Sequence, residues 1–263
     1  MIDIHHHLLF GLDDGAKSLD VSVDMARMAA EDGITHIVCS PHASDQYSFD
    51  PARIADHISE LRHQLEIEKI PVTLGSGCDF HMSYDNIQEA KADPARFSIN
   101  GLGYLLAELP DYGISQGLTD IFYQMQLAGL TPILTHPERN STLQRDPHRM
   151  IEWMRGGVLV QITAGSILGN MGTAAQRVSH QLLKDRWVHF VATDAHNTTT
   201  RPPKMRAAYE LIASKYGPDY AERLCVRNPL SAFRGKPLDV QDDPVGLFED
   251  HQPKNWWQKL LNR

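Results

Sequence analysis

Side chains able to bind metal ions recur along this chain, each at the end of an apolar run. In "IDIHHHLLF", His5 and His7 stand two residues apart. Residues two apart in a strand point the same way, so Asp3, His5 and His7 are expected on one face, with Ile2, Ile4 and His6 on the other. Two imidazoles at one edge of a cavity can each give a nitrogen to a cation, leaving His6 directed at the helical layer. "ATDAHN" supplies a second same-face pair, Asp194 and His196, while "CSPH" and "LTHPER" put His42 and His136 beside prolines that fix the strand exits. Asp79 ends "PVTLGSGCDF", and Glu108 follows four apolar residues in "GYLLAELP". A buried carboxylate needs a partner, and for Glu108 this is either a cation or an arginine. With Asp14 the donors are too many for one ion. Nitrogen and oxygen donors without thiolate suit Mn²⁺, Fe²⁺ or Zn²⁺ more than copper or an iron–sulfur cluster.

Positioning these groups requires a regular frame. Seven β-type runs, the five above plus "GVLVQITAG" and the "WVHFV" that leads into "ATDAH", alternate with helical patterns. The first helix is expected over about 18–32, capped by Ser18 and stopped by Gly33, and others at 51–68, 115–128, 146–155, 173–186 and 203–215. Strand–helix alternation implies parallel strands, and no Gly-rich nucleotide fingerprint is present, which favours an α/β barrel. The carboxyl ends of parallel barrel strands converge on one face, so the scattered donors become a single pocket.

The totals agree with this frame and exclude others. The 263 residues, 42% hydrophobic and 22% charged, can bury a sizeable core. Lys and Arg number 25 against 33 Asp and Glu, a net charge of −8, and no basic run stands out, which argues against nucleic acid as a partner. Carboxylates that bind divalent cations make such an acidic balance reasonable even for an anionic substrate. No apolar run approaches the ~20 residues of a membrane span, and the basic-then-apolar order of a signal peptide is missing, so a cytoplasmic location is expected. Cys39, Cys78 and Cys225 form no C-x-x-C pair, against both disulfides and a thiolate zinc site. From about Gly235 the chain becomes proline-punctuated and acidic, then offers Trp256, Trp257, Leu260 and Leu261 on a possible helix. This tail is expected to pack back on the domain; a surface-docking helix is the alternative.

"MIDIHHHLLFGLDDGAKS", "SPH", "HPER", "TDAHN" followed by "RPP", and the late "NP" resemble the PHP (polymerase and histidinol phosphatase) superfamily, and within it the bacterial protein-tyrosine phosphatases of capsular and exopolysaccharide operons (CpsB/CapC type). The resemblance runs over residues 1–234 and leaves 235–263 as a tail. It implies a distorted (β/α)7 TIM-like barrel with three divalent ions, usually Mn²⁺. By resemblance, His5, His7, Asp79 and Asp194 hold one ion, Asp79 bridges to a second bound by Glu108 and His136, and Asp14, His42 and His196 surround the third. The bridging position is often Glu, so Asp79 is a departure; His81, on the same face, compensates, lines the pocket or is structural. The implied partner is a phosphotyrosine protein, the tyrosine-rich tail of a membrane autokinase.

Arg139 and Arg201, flanking the metal mouth from "HPER" and the stretch after "TDAHN", are expected to grip phosphate oxygens. The implied reaction is phosphate monoester hydrolysis by metal-activated water, with Asp14 orienting water or giving a proton. A cysteine-dependent phosphatase needs Arg six residues after its Cys, and here those positions hold Asp45, Tyr84 and Ser231. An amidohydrolase commonly carries a lysine after the fourth strand, where this chain has Glu108. A small phosphomonoester such as histidinol phosphate, or a non-catalytic metal-binding module, are the remaining alternatives.

Overall fold

In a computed structural model of the chain, residues 1–110, 113–114, 117–239 and 244–248 are described. Among the described residues there are nine short strands: β1 (Ile2–His6), β2 (His36–Cys39), β3 (His42–Ala43), β4 (Thr73–Ser76), β5 (Asp79–His81), β6 (Tyr104–Glu108), β7 (Thr131–Thr135), β8 (Leu159–Thr163) and β9 (Phe190–Ala192). They correspond to the seven expected runs because two of the runs are interrupted. Ser40 and Pro41 separate β2 from β3, and Gly77 and Cys78 separate β4 from β5. All ladders are parallel, in a three-stranded sheet β1-β2-β4 and a six-stranded sheet β3-β5-β6-β7-β8-β9. The interrupted runs belong to both sheets, and a parallel bridge between His6 and Ala195 joins β1 to the exit of β9. Chain continuity through the interrupted runs and this single bridge link the two parallel sheets at both edges.

Two layers of apolar contact hold the sheets. Ile2, Ile4, Val38, Leu106, Ile133, Phe190 and Ala192, drawn from strands of both sheets, pack on one another. The other strand faces, including Ile37, Leu105, Leu134, Val160 and Val191, pack in a larger cluster with the helices. In α1 (Leu19–Glu31), Ser18 Oγ accepts from Val21 N as the N-cap, and Val23, Met25, Ala26 and Ala29 are buried. In α2 (Pro51–Ile67), Asp50 caps the N-terminus, Pro51 occupies the first turn, and Ile54, Ile58, Leu61 and Leu65 form the buried stripe.

The remaining helical expectations are met with different bounds. Helices occupy Leu118–Leu127, Thr173–Lys184 and Arg206–Tyr216, whereas the stretch expected at 146–155 divides into a 3₁₀ turn, Pro147–Met150, and a helical turn, Ile151–Arg155. Several helices were not expected; the longest of them is α3 (Tyr84–Ala92), capped by Ser83, and the others, such as Pro94–Phe97, Pro218–Glu222 and Asn228–Phe233, are one or two turns. Residues 244–248 of the tail lie against the domain, with Val245 N donating to Asp185 O, Trp187 Nε1 donating to Val245 O, and Leu247 buried. Trp256, Trp257, Leu260 and Leu261 fall outside the described residues. Among the described residues no helix is long and apolar enough to cross a membrane.

Candidate metal centre

The first strand does not keep strict alternation. Asp3 pairs with Ile37 and His6 with Cys39, so three steps along β1 match two along β2, and the register slips between them. Ile2 and Ile4 therefore fill the apolar interior while His5 and His7 bring their Nε2 atoms within 3.4 Å of each other. Asp3 is not part of the cluster. It accepts from Thr193 N at 3.0 Å and Thr193 Oγ1 at 2.5 Å, tying β1 to the exit of β9, and burial raises its pKa to about 6. His6 is fully buried, and burial lowers its pKa to about 3.

Each imidazole of the first pair is held by its far nitrogen. His5 Nδ1 lies 3.0 Å from Gln161 Oε1, and His7 Nδ1 lies 2.8 Å from Asp13 Oδ2. An amide oxygen and a carboxylate only accept, so each Nδ1 carries a proton, and each Nε2 is the nitrogen that a cation would take in place of a second proton. Asp13 is fixed in turn by Gly15 N and His42 N, which donate to it at 2.8 and 3.1 Å. The turn admits only glycine at position 15, because a Cβ there would sit 2.3 Å from His7 O.

The structure brings all nine donors named from the sequence into overlapping groups, each with donor atoms within 4.8 Å of one another: His5, His7 and Asp194; His5, Asp79 and His136; His42, Asp79 and Glu108; and His7, Asp14, His42 and His196. The grouping is more interleaved than the partition implied by resemblance. His42 reaches Asp79 and Glu108 as well as Asp14, and His7 joins the set around Asp14. Asp79, 1% exposed, is the common member of two groups. Neither of its oxygens has a hydrogen-bond partner, although His5 Nε2 and His42 Nδ1 lie 3.3 and 3.1 Å from Oδ2. A buried carboxylate with no well-directed hydrogen bond, held only against imidazole nitrogens, fits divalent cations.

The local field shows the same demand for positive charge. Burial opposes the charged form of His5 and of His42, but Asp79 and Asp194 raise His5 to about 9, and Asp14 and Asp79 raise His42 to about 11. Glu108 is pushed up to about 8 by burial and by Asp79. Protons on these groups offset carboxylate charge that cations could balance instead. His136 is lowered to about 3, by burial and then by Arg139, and so offers a neutral nitrogen.

Asp194 divides its oxygens between two tasks. Oδ1 faces His7 Nε2 at 3.3 Å and His5 Nε2 at 3.5 Å, while Oδ2 accepts from both Arg139 Nη1 and Arg201 Nη2. The two arginines thus meet on one atom at the mouth. Asp194 and His136 both hold left-handed backbone, with φ of 52° and 32°, as do Lys69, Asn100 and Arg186 away from the site. Behind Arg139, the fully buried Glu138 accepts from Thr163 N at 3.0 Å and anchors the turn to the end of β8. His81, expected to compensate for Asp79 or line the pocket, borders a cavity with Asp14, His42 and Glu108.

Asp13, Gln161 and Glu138 were not singled out from the sequence. Gln161 had a signal, a lone amide within the apolar run "GVLVQITAG", whereas Asp13 was masked by its neighbour Asp14. The cysteines take no part. All three are buried, and burial pushes Cys39 and Cys225 up to about 12 and Cys78 well above the thiol range, so no thiolate nucleophile is available.

Parallel strands whose carboxyl ends pool five imidazoles and four carboxylates beneath two guanidinium groups define a metallohydrolase. Residues 1–234 match the family described as capsular polysaccharide synthesis, CpsB/CapC, and the chain belongs to that family. It is 34% identical to the putative tyrosine-protein phosphatase CapC of Staphylococcus aureus, covering 81% of this chain and 88% of that protein. It is 33% identical to the tyrosine-protein phosphatase YwqE of Bacillus subtilis, covering 92% and 97%. Its fold superposes with a TM-score of 0.87, at 30% identity over 93% of this chain and 98% of the other, on a crystal structure from work on YwqE and the Streptococcus pneumoniae protein CpsB, described as unique metal-dependent tyrosine phosphatases.

Proposed function

We propose that this chain is a metal-dependent tyrosine-protein phosphatase acting in capsule or exopolysaccharide synthesis, with residues 1–234 as its catalytic unit. The observation that carries the reading is the orphaned Asp79 carboxylate at the junction of two donor groups, beside His5, His42, Glu108 and His136. His5, His7, Asp14, His42, Asp79, Glu108, His136, Asp194 and His196 are the residues that would hold the ions, three Mn²⁺ in this reading. When bound, such ions acidify a water and neutralise phosphoryl charge.

The chain's own groups supply the rest. Arg139 and Arg201 hold the phosphoryl oxygens, and Asp194 Oδ2 keeps the two guanidinium groups together. Asp14 is half exposed, and hydrogen bonds with His196 and His42 hold its carboxyl well below the usual range. It is therefore ionised at neutral pH and orients water as an acceptor rather than giving a proton. A tyrosine phenolate, of parent pKa about 10, leaves without much protonic help. The protein partner in this reading is the tyrosine-rich tail of a membrane autokinase.

Steady-state rates with Mn²⁺ on a phosphotyrosine peptide, a phosphoserine peptide and histidinol phosphate test the proposal. The phosphotyrosine peptide should have the highest kcat/KM, and chelator or His5→Ala should abolish turnover. Preference for histidinol phosphate would move the chain to small phosphomonoesters, and no turnover at full metal occupancy would make it a binding module.

A further inference from the structure

The metal centre opens into two recesses of unequal size and character. One, of about 100 Å³, is lined by Thr135, His136, Arg139 and Asn140 along with Glu108 and Leu109. The other, of about 400 Å³, shares Glu108 and Leu109 and is walled by Tyr47, His81 and Pro110. The small recess carries the guanidinium group and the polar atoms a phosphoryl group needs. The larger one carries an aromatic ring, a leucine and a proline on its wall beside the polar Ser44, Asp45 and Gln46, and opens directly beside Asp14 and His42.

Tyr47 is held before any substrate arrives. Ser44 N donates to Tyr47 O at 3.0 Å and Tyr47 N donates back to Ser44 O at 3.2 Å, closing a tight turn directly after β3. Its ring lies nearly parallel to that of His42, with 15° between the planes and centroids 5.7 Å apart. That separation is within the range of aromatic stacking. A tyrosine fixed in this way forms a rigid aromatic wall at little entropic cost on binding.

We propose that the Tyr47 recess is the subsite for the leaving group's aromatic ring, with Tyr47 and Leu109 selecting aryl over alkyl phosphates. This rests on the reading of the centre as a phosphomonoesterase, and adds to it the residues that select the ester. The bond broken is still the ester P–O bond, with the oxygen leaving as phenolate into this recess. Tyr47 is not among the donor groups and meets the centre only through the face of His42, so its effect is read on the ring of the ester.

Titration of Mn²⁺-loaded protein with phenylphosphonate and methylphosphonate, neither of which is hydrolysed, reads the subsite without turnover. The unaltered chain should bind phenylphosphonate more tightly, and Tyr47→Ala should erase about five- to tenfold of that preference while Tyr47→Phe retains it. Leu109→Ala should reduce the same ratio. Equal loss for both phosphonates, or a ratio unchanged in Tyr47→Ala, overturns the assignment. Failure of the phosphatase reading shows separately, as absent turnover of para-nitrophenyl phosphate by the unaltered protein, and the phosphonate ratio still decides the subsite.

Discussion

Asp13 Oδ2 lies 2.8 Å from His7 Nδ1, with both side chains buried, and the same oxygen accepts from His42 N. One carboxylate thus orients an imidazole that faces two donor groups and fixes the backbone of a second histidine. His7 Nε2 points its lone pair into the cluster only while Nδ1 keeps its proton. Asp13→Asn exchanges an acceptor for an ambiguous amide and weakens that control. Metal affinity should fall by about 10- to 100-fold, and activity should recover in part at high Mn²⁺. Metal titration together with kcat/KM at two Mn²⁺ concentrations checks this; a loss of activity that excess metal does not touch counts against it.

Arg139 and Arg201 share Asp194 Oδ2, so their effects should not be independent. Lysine keeps the charge but loses the fork that can grip a phosphate and a carboxylate together. Arg139→Lys and Arg201→Lys should each lower kcat/KM on the order of 10²-fold, with metal content unchanged. The double variant should lose less than the product of the two, because neighbours on one partner are not additive. Full additivity would mean that the guanidinium groups act apart.

Much of this site was legible because its donors follow apolar runs, where a polar side chain has no packing reason to be. Glu108 after "YLLA" and His136 after "PILT" are of that kind. The slip within β1 left no trace in residue types, so strict alternation put Asp3 with His5 and His7, whereas the folded chain uses it to bind Thr193. The α3 helix escaped notice because it buries only Ile87 and Ala90, too few to mark a stripe. Breaks at Pro41 and Gly77 interrupt ladders within runs whose composition reads as continuous. Local composition thus marks where polar groups end a strand, whereas register and the residues that orient the donors depend on contacts distant in sequence.

Metal removal should destabilise the fold through Asp79, whose buried carboxylate has no hydrogen-bond donor. Ions present at about 100 times their Kd stabilise by about 2.7 kcal/mol, or roughly 5–10 °C in Tm for a chain of this size. Chelation should lower Tm by that order, and Asp79→Asn should lose most of the Mn²⁺-dependent increase. A Tm indifferent to both chelator and Mn²⁺ would be incompatible with ions bound at this carboxylate.

Acid should act on the fold at a second place, outside the metal centre. His189 joins the starts of β8 and β9: its Nδ1 accepts from Val160 N at 3.0 Å and its backbone N donates to Val160 O at 2.9 Å. Burial holds its pKa down at about 4, against an ordinary 6.5. The unfolded chain therefore takes up a proton first as pH falls. The stability due to neutral His189 is complete above pH 6.5 and is lost as pH drops through about 4. A shift of this size corresponds to up to about 3 kcal/mol. His189→Asn cannot take up that proton. The Tm advantage of the unaltered chain over this variant, measured on chelated protein, should be largest near pH 7 and shrink steadily toward pH 4. An advantage that stays constant across this interval would show that the linkage lies elsewhere, in His6 or His136, whose pKa values are lowered in the same direction.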